Sequence, residues 1–190
     1  MTQIHIPVMK SETLDLLINK KDGIYLDCTI GFGGHSKEIL NRINNKGILI
    51  GMDLDPYALS KANEKLSDSS EKKFSLHNIS YKEFPTILSE MKIKKVDGFL
   101  IDLGISSYQV DSAHRGFSFT NNGPLDMRFN QSNGYTAKKF LNKISEKKLA
   151  DIIKYYGDQS KSKKIAKAIL EKINSNKINT TFDLKNCIQS

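Results

Sequence analysis

Residues 24–35 have the sequence Ile-Tyr-Leu-Asp-Cys-Thr-Ile-Gly-Phe-Gly-Gly-His, and this stretch decides the fold. Residues 24–28 are mostly apolar, which predicts a short buried β-strand. Three glycines follow, and from residue 35 to residue 43 the apolar side chains recur at helical spacing. Glycines between a strand and a helix let the backbone turn sharply and approach a ligand closely. The stretch therefore predicts a strand, a ligand-binding loop and a helix in succession.

The segments on either side alternate between short apolar strands and helical patterns, which is typical of a parallel α/β fold. We predict strands at residues 24–28, 48–52, 74–77 and 96–101, and helices at residues 10–19, 35–43, 56–66 and 84–91. The third helix has strong start signals, because Asp55 can cap its N-terminus and Pro56 suits its first turn.

Two carboxylates flank the glycine loop. Asp27 ends the first predicted strand, and Asp53 ends the second strand, 20 residues after Gly33. A carboxylate at this place can accept hydrogen bonds from both hydroxyls of a ribose. A dinucleotide site would need a third glycine where Ser36 stands, and Asp27 would repel a pyrophosphate. S-adenosylmethionine has an ammonium and a sulfonium but no phosphate, so the pattern favours it over a nicotinamide dinucleotide.

Each of these side chains also has a structural interpretation that the sequence leaves open. Asp27 could cap the following helix, and Asp53 could pair with a nearby lysine. His35 either contacts the carboxylate of the cofactor or caps the turn. Asp102 ends the fourth predicted strand, where it would meet the cofactor or the substrate, or else cap its loop together with Ser106.

The character of the sequence changes after residue 106. Residues 107–135 are rich in Asn, Gly, Ser and Phe without sustained periodicity, and loops of this length are usually functional or disordered. Three Lys-rich helical patterns follow, and Thr181 would be the N-cap of a fourth. We therefore expect a cofactor-binding domain at residues 1–106, and a substrate loop with a helical domain at residues 107–190.

The long loop contains a candidate RNA contact, because arginine can pair with phosphate and phenylalanine can stack on an unpaired base. The alternative is that Phe117, Phe119 and Met127 anchor the loop onto the core while Asp126 orients Arg128. The candidate RNA-binding side chains are Arg115, Phe117, Phe119 and Arg128.

Charge is distributed unevenly along the chain. The formal net charge is +8, yet residues 1–110 hold 14 basic and 14 acidic side chains, whereas residues 111–190 hold 15 basic and seven acidic ones. The basic residues are 26 Lys and three Arg, a skew that an AT-rich genome would also produce. Compositional bias should spread evenly, whereas a surface that binds a polyanion is local. The location of the excess therefore favours a nucleic-acid surface in the second half.

Composition excludes several classes of protein. Of the 190 residues, 38% are hydrophobic and 26% are charged, as in globular proteins. The sequence contains no apolar run of about 20 residues and no secretory leader pattern. Cys28 and Cys187 suggest neither a disulfide framework nor a zinc site. We expect a cytoplasmic protein that binds no metal and no membrane.

Several motifs occur in a defined order along the whole chain. They are His5-x-Pro7-Val8, Asp27-x-Thr29-x-Gly31-x-Gly33-Gly34-His35-Ser36, Gly51-x-Asp53-x-Asp55-Pro56, Asp102-Leu-Gly-Ile-Ser-Ser107, Arg115-Gly-Phe-Ser-Phe119, Gly123-Pro-Leu-Asp-Met-Arg128, Tyr156-Gly157-Asp158 and Ile165-Ala166-x-Ala168-Ile169. The glycine loop alone is unspecific, whereas the blocks at residues 115–119 and 123–128 are specific. Together the motifs resemble the ribosomal RNA small subunit methyltransferase H family.

This resemblance implies a Rossmann-like methyltransferase fold with an inserted helical domain. It also implies that S-adenosylmethionine is used to methylate the exocyclic N4 of a cytidine in the decoding region of 16S rRNA, with the small ribosomal subunit as partner. Where the family has an aromatic cofactor contact after the third strand, this sequence has Ser80, with Tyr81 next to it. Carried over by motif position, the other cofactor contacts would be Gly33, Gly34, His35, Asp53, Asp102 and Gln109.

Cytosine N4 is a weak nucleophile because its lone pair is conjugated into the ring. An oxygen that accepts an N4 hydrogen would raise the electron density on the nitrogen and orient it. Asp102, Ser106 and Ser107 are the candidates for this role. The family is longer than this chain, and the missing part would be the return of the chain into the sheet. A second interpretation is therefore a cofactor-binding remnant without catalytic activity.

Overall fold

The computed structural model describes residues 9–69 and 71–189, apart from the side chain of Lys10. The chain divides into two compact units, Met1–Gly104 and Ile105–Ser190. The division lies close to the boundary at residue 106 that the sequence predicts. We call the first the sheet unit and the second the helical unit.

Four parallel strands form the sheet: β1 (Ile24–Asp27), β2 (Ile48–Met52), β3 (Lys73–His77) and β4 (Gly98–Leu100). Their order is β3-β2-β1-β4, which is the order of the first four strands in a Rossmann fold. At the centre of the sheet, Asp27 of β1 is paired with Gly51 of β2 on one side and with Leu100 of β4 on the other. The carboxyl ends of these strands therefore meet at one edge, and the predicted parallel α/β class is confirmed.

Four helices accompany the sheet: α1 (Lys10–Leu17), α2 (Gly34–Arg42), α3 (Pro56–Leu66) and α4 (Phe84–Glu90). Successive strand residues face opposite sides of the sheet. Tyr25 and Leu49 belong to the apolar core formed with α1, α2 and α3, whereas Leu26 and Ile50 belong to the core formed with Ile87 of α4. Because both faces are covered, the central strands are apolar except for Asp27, the last residue of β1.

Among residues 105–189, five α-helices form the helical unit: α5 (Ser107–Asp111), α6 (Ala137–Leu141), α7 (Glu146–Gly157), α8 (Ser162–Asn174) and α9 (Thr181–Gln189). Its core contains Leu149 of α7, Ile169 of α8 and Cys187 of α9. In the described part of the chain, every helix is too short or too polar to cross a membrane.

The long loop between α5 and α6 is ordered by backbone hydrogen bonds. Met127 N–H donates to the Arg115 carbonyl at 3.0 Å, and Ala137 N–H donates to the Asp126 carbonyl at 2.7 Å. Gly116 has a φ of +74°, and a Cβ atom there would lie 2.2 Å from the carbonyl oxygen of Pro124. The two sequence blocks at residues 115–119 and 123–128 therefore pack directly on each other.

Several predicted element ends differ from the fold by one or two residues, and three further differences are informative. β4 is shorter than residues 96–101, and the short helix α5 lies in a segment predicted as loop. The N-cap of α9 was expected at Thr181, but Asp183 N–H donates to Thr180 Oγ1 at 3.2 Å. The prediction was wrong by one residue because Thr181 Oγ1 instead donates to the Asn121 carbonyl.

Candidate functional site

Three aspartates come together at the carboxyl edge of the sheet: Asp27 at the end of β1, Asp53 after β2 and Asp102 after β4. The charges of Asp53 and Asp102 both act to raise the pKa of Asp27, so the three carboxylates share one electrostatic environment. Ligands of open α/β sheets bind outside this edge. The edge would therefore attract a cationic ligand and repel a phosphate.

Asp27 is buried and holds the start of α2 against β1. Ser36 Oγ donates to Asp27 Oδ2 at 2.7 Å, and Thr29 N–H donates to Oδ1 at 3.3 Å. Burial raises the pKa of Asp27 to about 6, and the hydrogen bond from Ser36 opposes this shift. Ser36, which stands where a dinucleotide fingerprint would have glycine, is thus the partner of Asp27. Asp27 therefore fixes the start of α2 and also contributes to the negative electrostatic potential at this edge of the sheet.

Asp53 is oriented by backbone amides rather than by a lysine. Gly31 N–H donates to Asp53 Oδ2 at 2.8 Å, and Asp55 N–H donates to Oδ1 at 2.9 Å. Burial is the main cause that raises the pKa of Asp53. The Leu54 amide acts on the same carboxylate, and because a carboxylate can accept about four hydrogen bonds, Asp53 retains capacity for a further donor. This arrangement suits the two hydroxyls of a ribose.

The glycine loop needs its glycines for conformation. Gly31 and Gly33 have φ angles of +52° and +74°, which side chains rarely adopt. Gly33 is the N-cap residue of α2, and Gly34 is the first residue of that helix. The amides of a first helical turn lack acceptors within the helix. They are therefore available to an anionic group of a ligand.

His35 is the second residue of α2, and its Nε2 atom is buried without a hydrogen-bond partner among the described residues. No side chain caps this helix, so the capping interpretation of His35 has no support. A buried nitrogen without a partner costs about 1–3 kcal/mol. A ligand that supplies the partner would recover this energy, which fits a contact between His35 and the cofactor.

Asp102 lies beyond the end of β4, and its side chain is exposed. Its backbone N–H donates to Thr29 Oγ1 at 2.7 Å, which ties this residue to the loop that follows β1. The side chain is therefore held at the edge of the site by its backbone while its carboxylate faces solvent.

The turn after β3 contains the two candidates for the aromatic contact. Ser80 caps the short 3₁₀-helix that begins at Tyr81, and its hydroxyl accepts a hydrogen bond from Lys82 N–H. The ring of Tyr81 is partly buried against the apolar core that includes Leu26 and Met52. Ser80 therefore stabilises the turn, and the aromatic ring in this turn is that of Tyr81.

Ser106 and Gln109 belong to the helical unit and form a capping box. Ser106 Oγ accepts from Gln109 N–H at 3.2 Å, and Gln109 Oε1 accepts from Ser106 N–H at 3.0 Å. Gln109 is buried. The Ser-x-x-Gln spacing is the sequence signature of this motif. From the sequence, however, Gln109 was predicted to contact the cofactor and Ser106 was a candidate for contact with the substrate. Both residues thus stabilise the start of α5.

The contacts of the long loop favour the anchoring interpretation for Arg115. Its side chain is only 2% exposed, and its guanidinium donates to the carbonyls of Arg128 and Phe129 at 3.0 and 2.8 Å. A direct RNA contact would require this packing to open. The Phe117 ring lies 5.6 Å from the Phe129 ring, so Phe117 also packs inside the loop.

The remaining loop residues divide between the two interpretations. Arg128 Nε and a terminal nitrogen donate to the two oxygens of Asp126 at 2.9 and 2.6 Å, which confirms that Asp126 orients Arg128. Phe119 is 68% exposed whereas Met127 is 37% exposed, so the anchoring interpretation has no support for Phe119. An RNA contact by Arg128 stays a prediction.

Two further sequence predictions concern a metal and the N-terminal motif. In the described ranges, 9–69 and 71–189, no group of three or more His, Cys, Asp or Glu side chains could hold a metal ion. The His5-x-Pro7-Val8 motif lies outside the described residues.

Two exposed tyrosines at the end of α7, Tyr155 and Tyr156, were not among the predicted site residues, although Tyr156 belongs to the Tyr156-Gly157-Asp158 motif. Tyr156 has the same helical phase as Leu149 and Ile153, so the periodic pattern places it in the core. The Lys-rich composition on either side of this turn was the available signal for a surface position.

Comparison with known proteins places the chain in a family. The sequence model of the MraW methylase family matches residues 2–190. Ribosomal RNA small subunit methyltransferase H from Clostridium botulinum (strain Loch Maree / Type A3) is 47% identical over 97% of this chain and 59% of its own length. The protein of the same name from Mycoplasmopsis synoviae (strain 53) is 47% identical over 98% of this chain and 60% of its own length.

Among solved structures, an rRNA methylase from Streptococcus thermophilus is similar over 44% of this chain and 49% of that chain, with a TM-score of 0.35 and 20% identity. The chain spans about 59% of the length of the C. botulinum relative. The family match covers nearly every residue and agrees with the resemblance found in the motifs. The chain belongs to the MraW methylase family.

Proposed function

We propose that this chain provides the S-adenosylmethionine site and an RNA-binding helical unit of a methyltransferase that acts on small subunit ribosomal RNA. The reaction is methylation of N4 of a cytidine in the decoding region of 16S rRNA. The observation that carries the proposal is the convergence of Asp27, Asp53 and Asp102 beside a glycine loop. The family and the names of its relatives supply the substrate class.

The residues of this edge fit S-adenosylmethionine, which supplies an electrophilic methyl group on a sulfonium. Asp53 accepts the ribose hydroxyls with its remaining lone pairs. Asp27 and Asp102 provide a negative potential that favours the ammonium and the sulfonium. The amides at the start of α2 and the Nε2 atom of His35 would hold the carboxylate of the cofactor. His35 Nε2 would then gain the hydrogen-bond partner that the described protein residues do not provide.

Asp102 is the residue that we assign to the substrate amine. Its exposed carboxylate accepts a hydrogen bond from N4–H of the cytosine, which raises the electron density on N4 and orients its lone pair. Of the other candidates, Ser106 already accepts the Gln109 N–H, and Ser107 is the first residue of α5. Because transfer of a methyl group to N4 releases a proton, a carboxylate is also a better acceptor than a hydroxyl.

Calorimetry with S-adenosylmethionine and with NAD tests the cofactor. We expect binding of the first and none of the second, because the pyrophosphate of NAD would meet three carboxylates. Binding of NAD alone would overturn the cofactor assignment. Asp102→Asn should weaken binding of S-adenosylmethionine by only a few-fold, because it removes one exposed carboxylate of three and keeps the backbone hydrogen bond to Thr29 Oγ1.

Methyl transfer from labelled cofactor to small ribosomal subunits that lack the modification tests the activity. We expect incorporation, with N4-methylcytidine identified by mass spectrometry of the digested 16S rRNA. Asp102→Asn should lower the rate of transfer at saturating cofactor, and an unchanged rate would remove Asp102 from the mechanism. A folded chain that binds the cofactor without transferring methyl would be a binding protein rather than an enzyme.

A further inference from the structure

The turn between α7 and α8 carries a concentration of positive charge. We call residues 152–164 the α7–α8 corner. It contains four exposed lysines and a single acid, Asp158. None of the ion pairs in the described part of the chain involves these lysines, whereas Lys167, just beyond the corner, pairs with Glu171. The four lysines are Lys154, Lys161, Lys163 and Lys164.

Two adjacent tyrosines lie between these lysines in the sequence. Tyr155 is 72% exposed and Tyr156 is 89% exposed. Leu149 and Ile153, which share the helical phase of Tyr156, pack in the core of the helical unit, but Tyr156 does not. Tyrosine has an apolar ring and a polar tip and is enriched at interfaces for this reason. Helix packing therefore does not explain why this position holds a large aromatic ring.

The corner is an ordered surface. Gln159 N–H donates to the Ile153 carbonyl at 3.4 Å, and Ser162 N–H donates to the Gln159 carbonyl at 3.2 Å. Lys154 Nζ lies 5.3 Å from the centre of the Tyr155 ring, so a cation and an aromatic face are presented together. Pre-ordered side chains lose less entropy when a ligand binds.

We propose that the α7–α8 corner binds single-stranded RNA. The two tyrosines stack on unpaired bases, and the four lysines contact the phosphates of the same strand. Charge complementarity favours a polyanion over an apolar protein segment, and exposed aromatic rings favour unpaired bases over a duplex. The choice of RNA as the polyanion rests on the proposed function.

The first test measures the affinity of the 190-residue chain for a fluorescein-labelled, mixed-sequence RNA of about 12 nucleotides, a length within the range that single-strand-binding modules cover. Y155A/Y156A should weaken binding by about tenfold or more, since stacking on one base typically contributes that much. The matched control is Leu16→Ala, because Leu16 is an equally exposed apolar residue, at 88%, in the sheet unit. It should bind RNA as the parent does.

The second test uses the salt dependence of the same affinity. K161Q/K163Q/K164Q should lower the slope of log K against log salt by about 2, since each phosphate contact on a single strand contributes about 0.7. K46Q/K94Q/K95Q removes the same charge from exposed lysines of the sheet unit and should leave the slope unchanged. Equal effects of the two triple variants would mean that only net charge matters, which overturns the proposal.

Other outcomes identify a different occupant. If Y155A/Y156A binds RNA normally but sediments as a smaller species than the parent, the corner is an interface between copies of the chain. If Y155A/Y156A lost as much affinity for an RNA duplex of the same sequence as for the single strand, this result would contradict stacking on unpaired bases. Each result overturns the proposal. Calorimetry with S-adenosylmethionine on the same variants should be unchanged, so a failure at the corner is distinct from a failure of the proposed cofactor site.

Discussion

The sheet unit and the helical unit place their charged side chains in opposite ways. In the sheet unit, the carboxylates of the candidate site are also structural, since Asp27 binds Ser36 and Asp53 binds two backbone amides. In the helical unit, the buried Arg115 holds the long loop, whereas the lysines of the α7–α8 corner are exposed. We therefore expect ligand binding and stability to depend on the same residues in the first unit and on different residues in the second.

The largest expected effect concerns the packing of the long loop. Gly116→Ala puts a Cβ atom 2.2 Å from the Pro124 carbonyl oxygen, in a backbone with φ of +74°, so the chain must shift. We expect the free energy of unfolding to fall by about 3–5 kcal/mol, measured by chemical denaturation. Gly134→Ala is the matched control, because its φ is +77° but nothing lies within 4 Å of the new atom.

Gly134→Ala should cost only about 1–2 kcal/mol, the energy of a left-handed conformation. If the two alanine variants were equally stable, the two sequence blocks would not pack on each other as described, and the structural role of the loop would be wrong.

The next effect separates stability from RNA binding in the helical unit. Arg115→Gln removes a buried guanidinium from the carbonyls of Arg128 and Phe129, and unsatisfied buried groups are costly. We expect a loss of about 2–4 kcal/mol in the free energy of unfolding. The folded variant should bind the RNA oligonucleotide as the parent does. A large loss of RNA affinity without a loss of stability would restore the direct contact that the sequence predicts.

The fold was predictable where the signals are local. The strand at residues 48–52 and the helix at residues 56–66 have the predicted bounds, because a buried apolar run and the Asp55-Pro56 start act over a few residues. β4 is shorter than predicted, since its extent depends on its pairing with residues 25–27 of β1. Strand ends are thus set by tertiary pairing and not by the apolar run itself.

The site was predictable to the level of its acidic residues and glycines. The role of Arg115 could not be predicted, because its acceptors are carbonyls 13 and 14 residues away. The exposure of Tyr156 could not be predicted from the sequence either, because its helical phase predicts burial. Ser106 and Gln109 are a different case, because their Ser-x-x-Gln spacing is a local signature of a helix start, although the segment was predicted as a loop.

The third prediction uses the pH dependence of the sheet unit. Burial raises the pKa of Asp27 in the folded chain to about 6, whereas the ordinary value is about 4. Between these values the folded state holds a proton that the unfolded state releases. The free energy of unfolding should therefore fall as the pH rises from about 4 to about 6, by at most about 3 kcal/mol from this group.

Asp27→Asn should flatten this part of the stability profile, which denaturation at several pH values measures. In the parent, the affinity for S-adenosylmethionine should rise over the same range, because the ionised carboxylate attracts the cationic cofactor; the variant should bind more weakly at pH 7. A variant with unaltered pH profile and unaltered affinity would contradict the view that one residue serves both stability and binding in this unit.

The smallest expected effect completes the comparison between the units. Tyr156→Ala should change the free energy of unfolding by less than about 0.5 kcal/mol, because the side chain is 89% exposed and exposed substitutions have small effects. Leu149→Ala, on the same helical phase but buried, should cost about 2–5 kcal/mol. If Tyr156→Ala were as destabilising as Leu149→Ala, the ring would pack in the core and would be unable to contact RNA. A neutral result, combined with weakened RNA binding, would mean that recognition in the helical unit can be altered without unfolding it, which is not possible at Asp27.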